Sequence, residues 1–113
     1  MTASKLSLIY FTASNKIEAE ALSEQLVQRK LAACCNLLPA ESSMYFWQDK
    51  LEKSTEWIVL VKTRTELFEA IENFLDIHHS YDTPCVLSLP IDRASAKYQQ
   101  WVLDSTVSRE SAK

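Results

Sequence analysis

Residues 6–12 (LSLIYFT) crowd β-branched and aromatic side chains together, which predicts a first strand. Ser14-Asn15 interrupts it, and Asn15 followed three residues later by Glu18 has the form of a capping box opening a helix. Ala19, Leu22, Ser23, Leu26 and Val27 then recur at the i, i+3, i+4, i+7, i+8 positions of one buried stripe. Glu18, Glu20, Glu24, Gln28 and Arg29 lie off that stripe, and Ile17, also outside it, is expected to pack locally at the helix start. Leu31-Ala32-Ala33 leads into a long β-hairpin over residues 34–65. CCNLLPAESSMYFWQ forms the outbound arm, Asp49-Lys50 the tip and LEKSTEWIVLVKT the return. Pro39 marks its part of the outbound arm as an edge or a bend.

The return arm carries Trp57-Ile58-Val59-Leu60-Val61, five large apolar residues in succession. Strand side chains alternate between faces, so such a run expects both faces out of water. Thr63 and Glu66 suggest a second capping box, and Leu67, Ile71, Phe74, Leu75 and His78 form the stripe of a second helix. Residues 85–89 (CVLSL) read as a short strand between Pro84 and Pro90. A last helix, capped by Asp92 or Ser95, carries Tyr98, Trp101 and Val102. From Ser105 the chain reads as a polar, frayed tail.

The order β-α-β-β-α-β plus a terminal helix is α+β and ferredoxin-like: a βαβ-βαβ sandwich with a long hairpin between strands two and three. Right-handed crossovers give the sheet order 4-1-3-2. Helices on one face leave the other bare, and a second copy of the chain is the simplest cover.

Composition narrows the function. The 113 residues form a single domain, 1–113, with an ordered core expected over about 5–107. A net charge of −3 without a basic cluster argues against nucleic acid or an anionic membrane as partner. No apolar run approaches a membrane span, and no signal-peptide core is present, so the chain is expected in the cytoplasm. Three cysteines fit reduced thiols there. There is no glycine, which excludes Gly-rich phosphate loops and leaves left-handed positions to Asn15, Asn36, Asp49 or Asn73.

Candidate chemistry is sparse. Cys34, Cys35 and Cys85 are expected as small buried thiols, because strands two and four lie about 14 Å apart in the sheet. His78 falls in the apolar stripe and is expected to turn towards the core. His79, about 100° round, is the better surface metal ligand, with Asp82 in the next loop and Asp76 one turn back. Imidazole plus carboxylate suits Cu(II), Ni(II) or Zn(II). Trp47, Tyr45, Lys62 and Tyr81 join aromatic bodies to polar tips and are candidates for a cleft between subunits, Asp82 with them. No catalytic triad, metalloprotease motif or carboxylate pair is present, so no enzyme is expected, and no organic cofactor.

Leu31-Ala32-Ala33-Cys34 with Asn36 and Pro39, Ser43-Met44-Tyr45 with Trp47, Val61-Lys62-Thr63, His79-Ser80-Tyr81-Asp82-Thr83-Pro84, Leu89-Pro90, and Tyr98 with Trp101 follow one another in a distinctive order. In these the chain resembles the CutA divalent-cation tolerance family. The resemblance implies a cytoplasmic homotrimer assembled like the PII proteins, a response to metal ions, and binding of copper or another divalent metal. The alternatives are a PII-like small-ligand sensor or a structural, scaffolding trimer. Asp49 stands where the family has glycine, Ala40 where glycine often follows the proline, and Ser80 where proline follows the histidine. Phe11 replaces the cysteine of members proposed to bind copper, so no strand-one thiol is expected to hold it.

Overall fold

The computed structural model describes residues 5–112. Its elements are β1 (Leu6–Ala13), α1 (Lys16–Gln28), β2 (Cys34–Trp47), β3 (Lys50–Arg64), α2 (Phe68–His78), β4 (Val86–Pro90) and α3 (Ala96–Ser105). The four strands form one antiparallel sheet in the order β2-β3-β1-β4, the order expected from the crossovers. β2 is an edge strand, which is why Pro39 is tolerated within it, opposite Trp57.

The pleat sorts the sheet into two faces. Ile9, Phe11 and Ala13 of β1 and Val59 and Val61 of β3 lie on one face, in a single buried core with Ala19, Leu22 and Leu26 of α1 and Ile71, Phe74 and Leu75 of α2. Leu6, on the other face, joins Ala33 and Val102 in a smaller cluster, so α3 packs across one end of that face. The rest of it stays open. Leu8, Tyr10, Ile58 and Leu60 are half-buried, and Leu87 and Leu89 are 53% and 47% exposed. The double-faced run in β3 thus has one face in the core and one half-buried.

Several local expectations are corrected. The Asn15 carboxamide does accept from the Glu18 N–H at 2.8 Å, but Glu18 reaches back one residue further, to the Ser14 N–H at 3.0 Å. Ile17 is 83% exposed rather than packed, and Val27 lies at the exposed margin of its stripe. No capping box opens α2. β3 runs on to Arg64, the Thr63 hydroxyl donates to the Leu31 carbonyl, and a 3-10 turn at Thr65–Leu67 starts the helix. The left-handed residues are Lys30, Gln48 and Asp49 (φ 59°, 51° and 64°); Asn15, Asn36 and Asn73 are not among them. The hairpin tip is therefore Gln48-Asp49, one residue earlier than expected, with two consecutive positive φ values. β4 likewise begins at Val86 and leaves Cys85 in the preceding loop.

The stretch after Ser105 is docked, not frayed. Thr106 is buried, the Val107 N–H donates to the Lys30 carbonyl at 3.0 Å, and the Arg64 guanidinium holds the Thr106 hydroxyl at 2.8 Å.

Candidate functional site

A β-bulge builds the site. Register between β2 and β3 runs Leu38 with Ile58 and Ala40 with Glu56, then resumes at Ser43 with Ser54 and Tyr45 with Glu52. β2 thus carries one extra residue between Ala40 and Ser43, and the alternation of its side chains reverses there. Beyond the bulge Tyr45 and Trp47 share a face with Glu52 and Glu56, while Met44 and Phe46 take the opposite face and stay exposed.

The loop between α2 and β4 closes the other side, and hydrogen bonds of His79 and Ser80 hold it. His79 Nε2 donates to the Thr12 carbonyl at 2.7 Å, and His79 Nδ1 accepts from the Tyr81 N–H at 3.0 Å. A carbonyl can only accept, so Nε2 carries the hydrogen. On the outer side the Ser80 N–H donates to Glu18 Oε2 at 2.9 Å. Burial alone raises the Glu18 pKa, but hydrogen bonds from Ser14 and Ser80 outweigh it and bring the carboxyl down to about 2.

Thr12, Tyr45, Trp47, Glu52, Glu56, Tyr81, Asp82, Thr83 and Cys85 then line a half-open cavity of about 540 Å³. Glu56 is only 6% exposed, and its Oε2 accepts the Tyr81 hydroxyl at 2.8 Å. Burial pushes the Tyr81 hydroxyl well up, and the hydrogen bond to Glu56 and its charge add to this. The Cys85 thiol is raised by burial and then by Glu56, which disfavours the nucleophilic thiolate. Tyr10 is raised by burial, then by Cys85 and Glu56.

This geometry rearranges the candidate residues. Tyr45, Trp47, Tyr81 and Asp82 do come together, all supplied by one chain. Lys62 does not join them; its Nζ lies 5.6 Å from the Tyr98 ring centroid, beside α3. The two histidines exchange their expected places. His78 is exposed and stacks on Phe74 at 4.5 Å, whereas His79 is 8% exposed with both ring nitrogens engaged. The helix ends at His78 and His79 is extended (φ −77°, ψ 147°), so helical phase no longer decides where its ring goes. His79 therefore holds a loop instead of facing solvent. Among the thiols Cys35 packs against the core and is pushed up to about 11, chiefly by burial, while Cys85 is exposed rather than buried. Among the described residues no three of His, Cys, Asp and Glu converge to hold a metal ion. His79, His78 and Asp82 thus do not fit a preformed chelating site.

The family model for the CutA1 divalent ion tolerance protein matches residues 7–105. The chain belongs to the CutA1 family. It is 40% identical over 101 residues to the divalent-cation tolerance protein CutA of Archaeoglobus fulgidus, covering 89% of this chain and 97% of that one. It is 37% identical over 99 residues to the chloroplastic protein CutA of Arabidopsis thaliana, 88% of this chain but only 54% of that longer protein. The solved structure of the periplasmic divalent cation tolerance protein CutA from Archaeoglobus fulgidus superposes with a TM-score of 0.86 at 37% identity, covering 88% of this chain and 97% of that one. The α+β fold with its four-stranded antiparallel sheet is thus a CutA1 fold. Thr12, Glu52, Glu56, Thr83 and Cys85 had not been singled out as members of the cleft. Glu52 and Glu56 carried a signal, since an i, i+4 pair of carboxylates on a strand shares one face.

Proposed function

We propose that the chain acts as a cytoplasmic homotrimer in the response to divalent cations and catalyses no reaction. On this reading its fold is the ferredoxin-like arrangement, and copies assemble in the PII manner through the open sheet face and the projecting hairpin. The observation that carries it is that open face, in a member of a divalent-ion tolerance family. Leu38, Leu87, Leu89 and Trp101 stand exposed there. These side chains are already about half-buried, so covering the rest of each contributes about 1 kcal/mol, repeated in every copy. The hairpin contributes through the face on which Met44 and Phe46 stand exposed, and it lengthens a chain whose axes measure 44 × 26 × 22 Å.

Copper or another divalent ion meets this chain, on the same reading, at the exposed His78 ring as a single imidazole ligand. His79 is occupied by Thr12 and Tyr81, and tight chelation requires donors from more than one copy. Calorimetry with Cu(II), Zn(II) and Mg(II) separates the histidines: His78→Ala lowers Cu(II) affinity, while the double change Cys34→Ser/Cys35→Ser leaves it alone. In cells lacking their own relative, expression should restore growth in graded copper, and Leu87→Asp/Leu89→Asp should not. Unchanged sensitivity with the native chain expressed defeats the tolerance reading. The compartment is tested by fractionation, because the names of relatives include both periplasmic and chloroplastic proteins.

A second reading, a small-ligand sensor, is favoured by the cavity at the bulge, whose volume lies within the range of ligand sites.

A further inference from the structure

We propose that the cavity at the bulge binds a small organic cation carrying N–H donors, held between the rings of Tyr45, Trp47 and Tyr81 and the carboxylates of Glu52, Glu56 and Asp82. This deepens the small-ligand reading and is independent of metal binding at His78. Four observations converge on it.

First, the lining has one sign of charge. Three carboxyl residues face it and, among the described residues, no lysine or arginine does. The one cation expected there, Lys62, sits over Tyr98 instead. An anionic or nucleotide ligand would enter against like charge, whereas a cation is drawn in.

Second, Glu56 is incompletely satisfied. It is more than nine-tenths buried; one carboxylate oxygen takes the Tyr81 hydroxyl, and the other has no partner among the described residues. That second oxygen is not sealed away from the cavity, so its acceptor position is available to a ligand, and a charged N–H donor makes the stronger bond there. The pKa values of Tyr81 and Cys85 are raised first by burial, and the Glu56 charge adds to both.

Third, the walls are aromatic. Two indole or phenol rings from β2 and one from the loop supply electron-rich faces that attract an ammonium or guanidinium once water is displaced.

Fourth, the alternative cation is disfavoured. A bare divalent metal needs three or more donors on one point, and the carboxylates here are spread around the wall without converging. An extended organic ion can satisfy carboxylates that lie apart, with its methylene groups against the rings.

The test is calorimetry on the whole native protein with putrescine, the neutral 1,4-butanediol and the anionic succinate, molecules of matched length. Putrescine is expected to bind saturably, one per chain, at least tenfold more tightly than either of the others. Glu56→Gln should lower putrescine affinity at least tenfold; glutamine still accepts the Tyr81 hydroxyl, so the loop is retained. Asp82→Asn, an exposed change that cannot unfold the core, should lower it several-fold, and Trp47→Leu likewise. Equal binding of butanediol, unchanged affinity in both Glu56→Gln and Asp82→Asn, or no putrescine binding at millimolar concentration overturns the proposal. So does displacement of putrescine by Zn(II) below the putrescine Kd, which would make the cavity a metal site. His78→Ala is expected to leave putrescine binding unchanged, so the two readings fail separately.

Discussion

His79→Ala and His78→Ala differ by one position and should differ several-fold in cost. The buried His79 ring donates to the Thr12 carbonyl at 2.7 Å and accepts from the Tyr81 N–H at 3.0 Å. Truncation leaves both backbone groups without a partner, at about 1–3 kcal/mol each where water cannot enter. The alanine leaves room for water beside the loop, so about 1 kcal/mol for each is the better figure. The ring also loses its contacts with Tyr81 at 4.7 Å and Phe11 at 6.2 Å, worth about 1 kcal/mol together. The sum is about 3 kcal/mol, or roughly 10 °C in melting temperature for a domain of this size. His78 is exposed and loses only its stacking on Phe74 and its place at a helix C-terminus, about 0.5–1 kcal/mol. Urea unfolding at fixed protein concentration, in metal-free buffer with chelator, measures both. A His78→Ala loss equal to or larger than that of His79→Ala would refute the burial assigned to the two rings, and with it the way the loop is held.

Three further outcomes are expected. Gln48 and Asp49 both sit at positive φ, so Gln48→Asn with Asp49→Gly should stabilise by about 1 kcal/mol in thermal unfolding, and a clear loss would move the turn elsewhere. The Glu18 carboxyl is lowered from 4.5 to about 2, so its contribution is fully present above pH 4.5 and is lost as pH falls through that window. Glu18→Gln should flatten the stability–pH curve between those values, and an unchanged slope contradicts the latch on Ser14 and Ser80. Thiol titration of the unfolded chain should count three, and in the folded protein Cys35 should react slowest.

Much of the fold was legible because its signals are periodic. The run Trp57–Val61 announced a central strand, the α1 stripe announced its buried face, and the strand order followed from handedness alone. What escaped the sequence were places where periodicity stops. The reading of His78 and His79 extended helical phase past the last turn, where the backbone turns extended and directs the second ring back to β1. The bulge between Ala40 and Ser43 leaves no mark in composition, yet it decides whether Tyr45 and Trp47 face Glu52 and Glu56. Asparagine seemed the natural stand-in for glycine, but Lys30 ends α1 in the left-handed region and Gln48 takes half the turn, because tertiary context overrode local preference. The cavity was partly legible through its aromatic members. Lys62 was misplaced because cleft membership depends on which end of β3 a residue occupies.

The most direct test of the proposed assembly is light scattering on the native chain over a hundredfold range of concentration, beside Leu87→Asp/Leu89→Asp. With the open sheet face covered by other copies, the native protein should hold a mass near three times 12.9 kDa throughout, and the double variant should fall towards one. A native chain of 12.9 kDa that stays folded across that range would contradict it.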